Sequence, residues 1–138
     1  MSQENAESVR RWIEAFARED FDAALALVHP DVVLAPPGDQ ALHTGAEGLR
    51  RWMEPDAFPT QAIEVLETVP GPGRRILARH HVSARGRASG IELDMISWSV
   101  WTFDEDGLIT RIEIYLDRER EQALEAAGLS SSALDDDR

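Results

Sequence analysis

The chain of 138 residues has no cysteine. Thiolate nucleophiles, disulfides and Cys-ligated metals are therefore excluded. Lysine is missing as well, since all 14 basic residues are arginine. That removes Schiff-base chemistry and the lysine of phosphate-binding loops. No apolar run approaches the ~20 residues of a membrane-spanning helix. Met1 to Glu7 has neither the basic start nor the apolar stretch of a signal peptide. The expectation is a soluble, cytoplasmic protein without a membrane partner. Positive charge is scarce: 26 acidic residues leave a formal charge of −12. A surface of that sign repels phosphate backbones, which argues against nucleic acid as a partner. Four histidines, one tyrosine and the carboxylates remain for proton transfer.

Against these absences stands an ordinary globular composition, 43% hydrophobic, at a length that suits one domain. Val9, Trp12, Ile13 and Phe16 recur at helical spacing between charged residues. Asp20 then caps a second helix with Phe21, Ala24, Leu25 and Val28 on its apolar side, ended by His29-Pro30. Val32 to Leu34 reads as a short strand stopped by Pro36-Pro37-Gly38. Thr44-Gly45-Ala46-Glu47 has the pattern of a capping box and opens a helix carrying Leu49, Trp52 and Met53, which stops by Pro55.

Beyond Pro59 the period becomes two. Ile63, Val65 and Leu66 begin a strand that ends at Pro70-Gly71-Pro72-Gly73. From Arg75 to Arg85, Ile76, Ala78, His80, Val82 and Ala84 share one face, with Leu77, Arg79, His81 and Ser83 on the other. A strand from Ile91 to Phe103 follows, then a hairpin at Asp104-Glu105-Asp106-Gly107 and a strand from Leu108 to Leu116. Asp117 caps a last helix bearing Ala123, Leu124 and Ala127, which Gly128 stops. The reading is one domain over 1–129 and a disordered acidic tail over 130–138. Helices before an antiparallel meander indicate an α+β fold with the helices on one face of a curved sheet. Rolled into a cone, such a sheet encloses a pocket between its concave face and the helices.

The helical hairpin Val9 to Val28, His29-Pro30-Asp31-Val32-Val33, Gly45-Ala46-Glu47-Gly48-Leu49, Val100 to Arg111 and Tyr115-Leu116-Asp117 together resemble the nuclear transport factor 2-like superfamily, in its SnoaL-like and ketosteroid-isomerase-like branches. The resemblance spans Glu4 to Leu129. It implies a cone-shaped curved antiparallel sheet with N-terminal helices packed on its concave face, a cystatin-like α+β barrel. It is specific for fold and weak for function, because this fold carries isomerases, cyclases, dehydratases, epoxide hydrolases and non-catalytic binders. Where ketosteroid isomerases carry their aspartate base, tyrosine and protonated aspartate, the matching positions are Ala35, Trp12 and Ser99. The tyrosine–aspartate pair of scytalone-dehydratase-like members matches Phe16-Ala17. Steroid isomerisation by the family mechanism is thus not expected.

The same matching turns Met95, Ser97, Ser99 and Trp101 inward, with Ile112, Ile114 and Leu116 opposite them. Strand parity independently gives the last three as an apolar face. His80, on the apolar side of its strand near Ser97 and Ser99, is the candidate acid–base group, with Ser99 beside it. The plain alternative is a buried neutral histidine bonded to serine. His43, in a loop that closes one end of the cone, is a candidate ligand contact. Trp12, Phe16, Ala35, Met95, Ser97, Trp101, Ile112, Ile114 and Leu116 complete the expected substrate pocket. His80 and His81 point to opposite faces, so no metal site is expected, and no cofactor. Ile96, Trp98 and Tyr115 on the outer face suggest a homodimer. Two functions stay open: a small-molecule isomerase, cyclase or lyase working by proton transfer on an apolar oxygenated substrate, and a non-catalytic ligand-binding or dimerisation module.

Overall fold

A computed structural model describes residues 2–38, 41–53, 60–85, 90 and 92–130. Helix α1 (Ser2–Ala17) and helix α2 (Phe21–Leu25) form the expected hairpin. The Asp20 amide bonds the Ala15 carbonyl at 2.8 Å across Glu19, which takes φ 63°. This reversal is usually made by glycine. The Asp20 carboxylate accepts from the Ala23 amide at 3.3 Å, so it does cap α2.

Helix α2 ends earlier than expected. Val28, His29 and Pro30 lie in strand β1 (Val28–Ala35) and not on the helix. Val28 pairs with Ile109, and the Ile109 amide bonds the Leu27 carbonyl, which draws the chain onto the sheet. Pro30 is tolerated because β1 loses register between Val28 and Val33, where no ladder bond is forfeited. Strand β2 (His43–Thr44) leads directly into helix α3 (Gly45–Met53). The stop by Pro55 lies outside the described residues, as does the tail over 131–138.

Strands β3 (Thr60–Gly71), β4 (Arg75–Arg85), β5 (Glu92–Phe103) and β6 (Ile109–Leu116) form the meander. The six-stranded order is β2-β1-β6-β5-β4-β3. The sheet is mixed, since β1 runs parallel to β6. That is the geometry left when a helical connection carries the chain from β1 back to the far side of the meander. Two bulges adjust the phase. One at Leu66 follows the inward pair Ile63 and Val65 and turns Glu67 and Val69 to the convex side. The other, at Thr110, places Ile109 and Ile112 both inside. Asp104 makes the β5–β6 turn, its carboxylate accepting from the amides of Asp106 at 2.8 Å and Leu108 at 2.9 Å.

Helices α1 and α3 cover the concave face, where Val9, Trp12, Ile13, Leu49 and Met53 meet Leu34, Ile76, Ala78, Trp101 and Ile112. The last helix breaks the expectation of helices on one face only. After a 3-10 turn at Asp117–Glu119, α4 (Arg120–Ala126) crosses to the convex side. There Ala123, Leu124 and Ala127 bury Leu77, Trp98 and Val100. The approach is close: a Cβ on Gly71 would meet the Ala127 carbonyl oxygen at 2.2 Å. Arg75 ties the helix end down, donating to the Ala126 and Pro72 carbonyls at 2.8 Å each. Asp117 caps nothing; its carboxylate accepts from the Trp98 indole at 2.9 Å. The apolar patch expected at the outer face is thereby covered from within. Trp98 and Val100 are buried, and Ile96 and Tyr115 are left half-buried. Burial and the neighbouring Glu113 carboxylate push the Tyr115 hydroxyl up to about 12. Among the described residues no helix is long and apolar enough to cross a membrane.

Candidate functional site

The concave face and the helices leave a cavity of about 540 Å³. One wall is an aromatic series supplied by α1 and α3. Trp12 stacks on Phe16 at 5.4 Å between centroids, and Phe16 stacks on Trp52 at 5.6 Å. Helical spacing creates the first pair, because positions four apart lie above one another. Trp12 also meets Trp101 edge-on at 5.2 Å, joining this wall to the sheet. Ile13, Ile63, Val82, Ile112 and Ile114 provide the aliphatic remainder.

The polar floor comes from two antiparallel strands. In the β4–β5 register His80 lies opposite Ser97 and Ala78 opposite Ser99. Side chains two apart on β5 share a face, so both serines flank the imidazole. His80 Nδ1 is 2.7 Å from Ser97 Oγ, and Nε2 is 2.9 Å from Ser99 Oγ. The Trp101 indole donates to Ser99 Oγ at 2.7 Å. The result is a continuous chain, Trp101–Ser99–His80–Ser97, with no charged member. His80 is 7% exposed, and burial lowers its pKa from 6.5 to about 4. Desolvation disfavours the cation, and no carboxylate compensates among the described lining residues. The imidazole is therefore neutral at pH 7, one nitrogen donating and the other accepting.

Such a ring has two self-consistent proton arrangements. In the first, the Ser99 hydroxyl donates to Nε2 and Nδ1–H donates to Ser97, freeing the Ser97 O–H. In the second, Nε2–H donates to Ser99 and Ser97 donates to Nδ1, so that Ser97 offers the cavity a lone pair. A second donor stands apart from this chain. Trp12 Nε1 is a buried side-chain polar atom with no partner among the described groups. An unpaired buried donor costs about 1–3 kcal/mol until an acceptor reaches it.

Of the residues expected in the pocket, Trp12, Phe16, His43, His80, Ser97, Ser99, Trp101, Ile112 and Ile114 line the cavity together. Three do not. Ala35 pairs with Glu113 on the outer side of the sheet, because the inward positions of β1 are Val32 and Leu34. Met95 and Leu116 keep the inward phase, opposite Val82 and Ser97, but lie outside the cavity wall. Sequence reasoning missed Val82 and Ile63, although the parity that pointed to His80 would have found Val82. It also missed Ile13, Trp52 and Arg51. Nothing in the local pattern marks Arg51, whose place at the cavity depends on how α3 docks. Among the described residues, no three of His, Asp and Glu converge as metal ligands.

The profile of the SnoaL-like domain matches residues 9–112. A search of curated proteins returned no significant match. Many solved structures share the fold. One is the epoxide hydrolase/cyclase-like enzyme SalBIII of pyran ring formation in the polyether salinomycin. It is 15% identical, with TM-score 0.76 over 84% of this chain and 94% of that one. TerC, co-crystallised with polyporic acid, is 20% identical, with TM-score 0.71 over 88% and 97%. RV0760c of Mycobacterium tuberculosis, in complex with estradiol-17beta-hemisuccinate, is 18% identical, with TM-score 0.70 over 83% and 94%. Identities this low speak to the fold alone.

Proposed function

Because the chain belongs to the SnoaL-like domain family, within the nuclear transport factor 2-like superfamily, we propose that its cavity binds a small, flat, oxygenated and largely apolar molecule. The proposed activity is of the isomerase, cyclase or lyase type, by proton transfer. The observation that carries this reading is the neutral Trp101–Ser99–His80–Ser97 chain at the floor of an aromatic cavity. Its two proton arrangements let Ser97 donate to a ligand carbonyl or accept from the corresponding enol without any change of net charge. In the catalytic reading Ser99 Oγ takes the α-proton as its own proton passes to His80 Nε2. Nδ1–H then passes to Ser97, whose proton reaches the carbonyl oxygen, so the C–H bond broken is matched by the O–H bond formed and the chain ends in its second arrangement. The ligands named with TerC and RV0760c, polyporic acid and an estradiol ester, agree with a cavity of this shape.

One observation favours the second reading, a binding module without turnover. An imidazole held near pKa 4, with no carboxylate among the described lining residues to assist it, is a weak base toward carbon acids. The two readings separate in one experiment. 2-Tetralone, a flat enolisable ketone, is incubated with the protein in deuterated buffer, and loss of its α-proton signal is followed by NMR. Faster exchange with the native chain, lost in His80→Gln while binding persists, supports catalysis. Binding with no acceleration leaves the module.

A further inference from the structure

The cavity wall contains one permanently charged side chain among the described residues, Arg51, in the last turn of α3. Arg51 and Trp52 both line the cavity, and the stack Trp12–Phe16–Trp52 runs from a buried ring to half-buried ones while Arg51 is exposed. The Arg51 side chain is 73% exposed. Its ion pair, to Glu47 one helical turn earlier, is long at 3.4 Å and its partner is 88% exposed. Exposed pairs of this kind hold weakly, and a guanidinium exchanges such a partner readily for a bidentate anion. Arg50 behaves differently. It bonds Asp22 of α2 at 2.9 Å and is not part of the cavity wall. Helix α3 thus spends one arginine on tertiary structure and leaves its neighbour at the mouth of an apolar site. In a chain of net charge −12, a cation there offers local selectivity that the overall field would oppose.

We propose that the ligand is an anion: an aromatic or polycyclic acid whose body lies along the tryptophan–phenylalanine wall and whose acidic group pairs with Arg51 at the mouth. This inference rests on the cavity being a small-molecule site, and it adds the charge and orientation of the molecule. The acid end faces solvent, and the neutral oxygen end reaches Ser97.

The test compares two fluorescent probes that differ by one sulfonate, 8-anilino-1-naphthalenesulfonate and N-phenyl-1-naphthylamine, titrated against the full chain. The native protein is expected to bind the sulfonate about threefold more tightly than the amine, as a charge-assisted contact to a largely exposed arginine would give. Arg51→Gln should abolish that difference while leaving the amine unchanged, so the amine also reports that the variant is folded. Glu47→Gln, which releases Arg51 and removes a repelling charge, should tighten the sulfonate severalfold. Arg50→Gln should move neither probe. Equal losses of both probes in Arg51→Gln, or loss of the sulfonate in Arg50→Gln, would overturn the proposal. So would an amine that binds as tightly as the sulfonate, which would leave the small-molecule reading intact. Failure of the native chain to bind either probe would remove both readings together.

Discussion

Strand β4 turns His80 toward the cavity and His81, the next residue, toward the convex side, where it pairs with Asp94. The two imidazoles share a backbone and differ in everything their surroundings supply. His80 has two serine hydroxyls and no charge within its chain of bonds, so burial keeps it neutral. His81 has a carboxylate and open solvent. The same contrast runs through the tryptophans. On the convex face Trp98 gives its N–H to the Asp117 carboxylate beneath α4, whereas on the concave face Trp12 holds an N–H with no partner among the described residues. The convex face under α4 is finished by the chain itself. The concave face is aromatic, borders the cavity and keeps one buried donor unpaired among the described residues.

The largest way to break this contrast is by truncation in the two cores. Leu124→Ala, beneath α4, should destabilise by about 3–5 kcal/mol, because the sealed layer cannot collapse around the hole. Ile114→Ala borders space that already exists and should lose only about 1–2 kcal/mol in urea denaturation. Equal losses would mean that the concave side is packed as tightly as the convex one.

Next comes pH. The folded His80 pKa, about 4, lies below its ordinary 6.5. Above pH 6.5 neither state of the protein carries the proton, and the stability is whole. As pH falls from 6.5 toward 4, the unfolded chain binds a proton that the folded chain refuses. About 2–3 kcal/mol should therefore be lost across that window. His80→Gln should lack this component, read as the difference between the two stability–pH curves.

A smaller effect separates the indoles. Trp98→Phe removes a bond to a charged acceptor and should cost about 1.5–3 kcal/mol beyond the loss of ring area. Trp12→Phe removes a donor that has no partner, so its cost should be confined to ring area. The difference between their melting temperatures reads the two N–H groups directly. Smallest of all is the exposed pair: Asp94→Asn should change stability by less than about 1 kcal/mol, and that change should shrink in salt.

Much of this contrast was legible in strand parity. The alternation through Ile76, Ala78, His80 and Val82 placed His80 on the apolar side, and the spacing of Ser97, Ser99 and Trp101 placed those residues opposite it. Both phases agree with the coordinates because the side-chain period along a strand is local and exact pairing only shifts it at bulges. Ala35 failed because its position was carried over from related proteins and not read from the alternation of Val32 and Leu34, which put it outside. The outer-face pattern of Ile96, Trp98 and Tyr115 suggests a second copy, because apolar residues there look alike whether they meet another chain or, as Trp98 does, the protein's own last helix. Asp117 has the profile of a helix cap, and only the arrival of Trp98 beside it shows where its carboxylate is used.

From the amino-acid order alone came the helical hairpin, the meander, the turn at Asp104 and the inward sides of β4, β5 and β6, since all of these depend on neighbours a few positions away. Tertiary structure alone decided that α4 would close the convex face, that Arg51 would line the cavity, and that burial would lower the His80 pKa. Each of those depends on groups distant in the chain being brought within a few ångströms, and on the water removed when they meet.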